Sequence, residues 1–165
     1  VIFFLLILDR SSPQIFISNE QQDVSIDLQS AQRLVVLFLE LQKVSTDQVY
    51  VYFLDDTALA QLHDEQFSDP SLTDTITLPI DKPGIASFPH VLGEAFVSPK
   101  AAMRFLEQYT EDQLYHEISR YVVHSLLHML GYDDQTDEDK RIMQEQEDVS
   151  LSFLAEHQAL LRPAV

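Results

Sequence analysis

The order of the hydrophobic patterns predicts an α+β domain. Strand-like segments end at Ser98, everything from Pro99 onward has helical periodicity, and no repeat, low-complexity tract or linker divides the chain. The length agrees with one domain: a chain of 165 residues, 45% of them hydrophobic, buries roughly 70% of its unfolded surface and needs neither disulfides nor a structural metal to fold. With no Cys, thiol nucleophiles, Fe–S clusters, dithiol redox chemistry and Cys-type zinc sites are excluded, and the composition is compatible with the cytoplasm.

Val1 to Leu8 is an unbroken apolar run that stops at Asp9-Arg10, well short of the roughly 20 residues that span a bilayer. It lacks the basic stretch and small-residue cleavage site of a signal peptide. Residues 1–12 are read as an extra strand or extension without assigned function, and residues 13–165 as the domain. Gln14 to Ser18, rich in β-branched and aromatic side chains, is the first strand. From about Ser25, the residues Ile26, Leu28, Ala31, Leu34, Val35, Phe38, Leu39 and Leu41 recur mainly at three- and four-residue intervals, giving a helix that ends near Lys43. Gln48 to Leu54 is a strand too continuously apolar for a half-exposed edge, which places it centrally in its sheet. Asp56 and Thr57 offer N-caps for a short helix carrying Leu59, Ala60 and Leu62, before a loop at Asp69-Pro70-Ser71. Asp74 to Ile80 is a strand, Asp81-Lys82-Pro83-Gly84 a turn, and Glu94 to Ser98 the last strand. Pro99 opens a helix to about Tyr109, followed by helices from Glu111 to Leu130 and from Thr136 to about Leu161. The acidic run from Asp133 to Asp139 lies where negative charge favours the N-terminus of the last helix, so it is mostly explained without function.

Twenty-seven acidic residues against ten basic ones give a net charge of −17. Such a chain repels nucleic acid and anionic membranes at long range, so a phosphate-bearing partner has to be drawn in by a local basic patch or a bound cation.

The helix ending at Leu130 offers a place for a cation. Four residues advance about 400° along a helix, so His124 and His128 share a face with Cβ atoms roughly 5–6 Å apart, and two imidazoles at that separation can grip one ion. Gly131 ends the helix in the left-handed conformation and turns Tyr132-Asp133-Asp134 back across that face. Asp134 then becomes the anionic third ligand that two neutral histidines require, with a fourth position left to water. Random placement of the six His yields roughly 0.18 pairs at this spacing, so the pair alone is a weak signal, and two satisfied interior histidines are the competing reading. Pair, Gly and carboxylate coinciding on an otherwise apolar helix favour the metal. Zinc peptidases share the three-ligand pattern, but they place a Glu after the first His as general base, where this chain has Ser125. His116-Glu117 begins like that motif, yet four residues on stands Arg120, which is no ligand. His116 and Arg120 read as a solvated or capping edge, and His63, His90 and His157 as structural.

The segment His124-Ser125-Leu126-Leu127-His128-Met129-Leu130-Gly131-Tyr132-Asp133-Asp134 resembles the signature of the YbeY family, bacterial metal-dependent endoribonucleases also called rRNA maturation factors. The family pattern is His-Gly-x-Leu-His-Leu-x-Gly-Tyr-Asp-His, and this chain departs from it at Ser125, Met129 and Asp134. Leu62-His63 through Thr73-Asp74-Thr75-Ile76-Thr77-Leu78-Pro79 is similar to the family's Leu-Asn … Thr-Asp-Val-Leu-Ser-Phe-Pro block, and Leu92-Gly93-Glu94 to its Leu-Gly-Asp. The resemblance covers approximately residues 14–160. It implies a mixed sheet of about four strands packed with helices, and one Zn²⁺ held by His124, His128 and Asp134.

Asp134 in place of the last His keeps a competent zinc ligand but adds a negative charge, which makes bound water less acidic. The Arg that family members carry before the Thr-Asp block, thought to hold RNA phosphate, falls on Ser68. Lys100 and Arg104, one turn apart, are the nearest replacements, with a solvated face as the simpler reading of both. The resemblance thus implies a zinc-dependent, single-strand-specific endoribonuclease of the cytoplasm, acting on rRNA precursors in rRNA maturation and ribosome quality control, with ribosomal proteins as further partners and no membrane. Its catalytic group beyond the metal's water is unassigned; Asp133 is the nearest carboxylate for proton transfer, or else a hydrogen-bond partner of a ligand His. The alternative is a non-catalytic, metal-stabilised ribosome-associated or protein-binding factor whose acidic surface meets basic proteins. A hydrolase of another substrate, peptidases included, comes third because Ser125 replaces the needed base.

Overall fold

The computed structural model describes residues 12–165, so the expected extra strand or extension over residues 1–12 lies, Ser12 apart, outside the described residues. The elements run β1 (Gln14–Glu20), α1 (Leu28–Gln42), β2 (Gln48–Leu54), α2 (Asp56–Phe67), β3 (Thr75–Pro79), β4 (Val91–Val97), α3 (Pro99–Leu106), α4 (Glu111–Met129) and α5 (Asp137–Glu156). This is the expected α+β order. The strands form one mixed sheet in the order β1-β2-β4-β3, with β1, β2 and β4 parallel and β3 antiparallel to β4.

The central place of β2 follows from its two apolar faces. Val49, Val51 and Phe53 are fully buried in the core shared with α1, α4 and α5. On the opposite face Tyr50 and Tyr52 stack in a row with Phe16 and Phe96, at centroid spacings of 4.7, 6.5 and 4.8 Å. There α2 covers the β3 side, packing Leu59 with Leu54 and Ile76. A strand with apolar neighbours on both faces has no need of polar alternation.

Several ends differ from the sequence expectation, each for a local reason. Asp27 caps α1 through the Gln29 N–H, so the helix starts at Leu28 rather than near Ser25. Asp55, not Asp56 or Thr57, caps α2. β4 begins at Val91, before the Gly that masks its pattern. Glu107, with φ 59°, stops α3 before Tyr109. α5 ends at Glu156 because Gln158 turns left-handed. Ala159 and Leu161, whose spacing mimics a longer helix, instead lie in a returning tail buried in the core, where the Leu161 N–H donates to Ser119 Oγ at 2.9 Å.

The helix that carries both histidines is seated firmly. Thr110 and Gln113 close a capping box at its start, and Ile118, Val122, Val123, Leu126 and Leu127 are at most 1% exposed. Burial on that scale contributes about 1.5–3 kcal/mol per large aliphatic side chain. A Cβ on Gly93 of β4 would stand 2.8 Å from the Leu78 carbonyl oxygen and 3.1 Å from Met129 Cγ and Sδ, so the absence of a side chain lets the last turn of α4 close onto the sheet. Among the described residues no helix is long and apolar enough to cross a membrane.

Candidate metal centre

The end of α4 folds as the sequence predicts. Gly131 takes φ 100°, its N–H donates to the His128 carbonyl at 3.0 Å, and the Tyr132 N–H donates to the Leu127 carbonyl at 3.1 Å. These are the two bonds of a Schellman turn. The turn delivers two groups to His128: the Tyr132 carbonyl, 2.9 Å behind it at Nδ1, and the Asp134 carboxylate in front of it.

His124 Nε2 and His128 Nε2 stand 3.1 Å apart. Asp134 Oδ2 lies 3.5 Å from the first and 3.6 Å from the second, and the three residues form a group able to hold a metal ion. Zinc bonded at 2.0–2.1 Å to tetrahedral ligands sets those ligands about 3.3 Å apart, so the donor triangle fits such an ion. Tautomers point the same way. A carbonyl can only accept, so His128 Nδ1 carries its proton toward Tyr132 and leaves Nε2 as a bare lone pair. His124 turns Nδ1 toward Glu147 Oε2 at 3.7 Å and aims Nε2 at the same point. Two imidazole Nε2 atoms and a carboxylate oxygen converging there form a donor set able to hold a cation. Burial alone would push His124 down, but the carboxylate of Glu147, with those of Asp134 and Asp74, outweighs it and holds the imidazole above its ordinary pKa. The surroundings favour positive charge at this place.

Glu147 was not singled out by the sequence reading. It is 6% exposed and its Oε1 faces the Arg120 guanidinium at 3.6 Å. Arg120 also meets Glu117 at 3.6 Å and Asp148 at 3.2 Å; at 26% side-chain exposure, it is the counter-charge of three carboxylates rather than a solvated edge. Burial pushes the Glu117 carboxyl above its usual range, with Arg120 pulling the other way. A readable signal for Glu147 did exist, because it sits four residues from both Met143 and Leu151 on the buried stripe of α5.

A cavity of about 630 Å³ opens beside His124 and Asp134, walled by the carboxylates of Asp74, Glu117, Glu147 and Asp148. The Thr73-Asp74 block is thus brought to the donors. Asp133 is not among the groups lining the cavity, and its Oδ1 accepts the Asp134 N–H at 2.8 Å. Ser68 is the exposed left-handed C-cap of α2. Lys100 faces Asp23 at 3.6 Å and Arg104 is paired with Asp56, so both are engaged within the protein. His116 belongs to a different hollow, where burial, then Arg120, lowers its pKa. His90 is buried, within 2.8 Å of the Thr46 hydroxyl and 3.0 Å of the Lys82 carbonyl, and structural as expected. Ser125 is fully buried with its hydroxyl unpartnered, at the position where the family signature has Gly.

The fold and the site define an α+β domain in which two imidazoles and a carboxylate converge at the end of one helix as a group able to hold a metal ion. The profile of the family described as Endoribonuclease YbeY matches residues 16–155, and the chain belongs to that family. Relatives named Endoribonuclease YbeY include that of Chlamydia trachomatis serovar L2, 99% identical over 98% of this chain and 100% of its own length. The Chlamydia muridarum protein is 88% identical over the same shares, and that of Chlamydia felis 65% identical over 90% of this chain and 95% of its own. The solution structure of TM1509 from Thermotoga maritima matches 88% of this chain and 92% of that one with a TM-score of 0.58 at 18% identity, a likeness of fold.

Proposed function

We propose that the chain is a zinc-dependent, single-strand-specific endoribonuclease acting on rRNA precursors in rRNA maturation and ribosome quality control, with His124, His128 and Asp134 holding one Zn²⁺. The observation that carries this reading is the convergence of two Nε2 atoms 3.1 Å apart on one carboxylate oxygen. The name shared by its relatives supports RNA as the substrate. The catalytic unit is residues 13–165, and it works in the cytoplasm with ribosomal proteins as further partners.

A zinc ion in that position supplies Lewis acidity toward a phosphoryl oxygen and acidifies water. The protein's own residues prepare the place. The Tyr132 carbonyl and the Glu147 carboxylate hold the two imidazoles from behind, fixing which nitrogen faces forward. Arg120 keeps the buried Glu147 charge compensated. The carboxylates of the cavity wall repel phosphate, which leaves a bound cation and the lining Lys140 as the places that attract it, so the wall helps to orient the substrate by exclusion. Asp133, engaged by the Asp134 amide, shapes the turn instead of moving a proton.

The test is elemental analysis of wild type, His124→Ala and Asp134→Ala, with RNA cleavage assayed on the same folded preparations. One zinc per wild-type chain, lost together with cleavage in both variants, is expected. Cleavage that survives His124→Ala, or wild type that binds no metal, overturns the reading. Zinc without cleavage replaces it with the metal-stabilised binding factor.

A further inference from the structure

We propose that Phe105 and Lys140 seat the RNA strand beside the metal centre, Phe105 stacking against one base and Lys140 pairing with one phosphate. The proposal rests on the metal centre being the place of cleavage. The cavity beside His124 and Asp134 does not end there. It shares Asp74, Phe105 and Tyr121 with a second hollow of about 510 Å³, so one groove runs from the donors past the Phe105 ring. That ring is 71% exposed. It lies one turn beyond Ala101 and Ala102, on the same side of α3 as these two buried residues, yet at the end of the helix it is left open to solvent, so core packing does not account for a large aromatic at this position. An open π-face at the junction of two hollows suits an unpaired base, and stacking of this kind tolerates any sequence.

The phosphate has few cations to choose from in a chain of net charge −17. Arg120 is surrounded by three carboxylates and Arg104 is paired with Asp56. Lys140, on the first turn of α5 just beyond the turn that delivers Asp134, lines the cavity and has no carboxylate within 4.0 Å among the described residues. It is the lining cation left to meet a phosphate once the metal holds its neighbour.

The probe is a short single-stranded 2′-O-methyl oligoribonucleotide carrying 2-aminopurine, whose fluorescence is quenched by stacking, titrated into zinc-loaded protein. Quenching is expected with wild type and Phe105→Tyr, and its loss with Phe105→Leu, together with binding weaker by about tenfold. Lys140→Ala weakens binding and makes the slope of log affinity against log salt shallower by about 0.7, the share of one phosphate contact on a single strand, and Lys140→Arg restores it. Zinc content is measured for every variant. Unchanged quenching in Phe105→Leu, or an unchanged salt slope in Lys140→Ala, overturns the proposal while zinc-dependent cleavage stands. If the metal reading fails instead, His124→Ala still cleaves and the effects of Phe105 and Lys140 persist.

Discussion

Glu147 ties the geometry of one histidine to the packing of two helices. Its carboxylate lies between His124 Nδ1 and the Arg120 guanidinium, at 3.7 and 3.6 Å, so it compensates a buried cation and orients a ligand at once. Removing it has two separable effects. Glu147→Ala is expected to weaken zinc binding by roughly 10–100-fold, the range for groups that hold a metal-ligating His from behind. Glu147→Gln keeps a hydrogen-bond acceptor and falls between the two. Competition with a chelating dye reads the affinity directly. A role confined to packing predicts a lower Tm in both variants with zinc affinity as in wild type, and that result removes the positioning role. The sequence could show His124, His128 and Asp134 because four-residue spacing and a following Gly act within one short segment. Spacing from Met143 and Leu151 places Glu147, unlike Glu138, Asp139, Glu145 and Asp148, on the buried stripe of α5, but that it faces His124 depends on how α5 packs on α4, which the sequence does not show.

At the scale of elements, the turn after α4 joins fold and site. Gly131 holds φ 100° with open space where a Cβ would lie, so a substitution there meets no clash and is opposed by backbone conformation alone. Gly131→Ala is expected to lower stability by about 1–2 kcal/mol, a fall in Tm of roughly 2–8 °C in a domain of this size. Zinc affinity should fall with it, because the Tyr132 carbonyl and Asp134 both ride on the turn. Gly131→Asn, which tolerates the left-handed region better, should recover part of both losses. Thermal melts of the metal-free proteins check the first effect and zinc titration the second; a metal-free Gly131→Ala as stable as wild type removes the conformational argument. The same local physics explains which elements were legible. Periodicity marks the amphipathic helices, because burial on one face imposes it, whereas β2, apolar on both faces, is marked by its continuous run instead. It misplaced ends where another force acts: the tail after α5 keeps helical spacing at Ala159 and Leu161 because both are buried in the core, and the start of β4 is hidden by Gly93, whose missing side chain serves α4.

The whole molecule carries a charge of −17, which makes it respond to cations in two ways that must be told apart. Self-repulsion between carboxylates is spread over the surface and is screened by any salt, so raising ionic strength should raise the Tm of this chain whichever cation is used. A zinc ion bound by His124, His128 and Asp134 acts differently, by mass action on the folded state alone. Zinc at about 100 times its Kd stabilises by about 2.7 kcal/mol, or roughly 5–10 °C for a domain of this length. At constant ionic strength, therefore, micromolar zinc should raise the wild-type Tm by that amount and magnesium at the same concentration should not. In His124→Ala the salt response should persist while the zinc response shrinks to that of magnesium, because the surface charge is untouched and the donor triangle is broken. Zinc that shifts wild type and His124→Ala alike would mean that the acidic surface as a whole collects the ion, and the convergence at the end of α4 would then have no special claim on it.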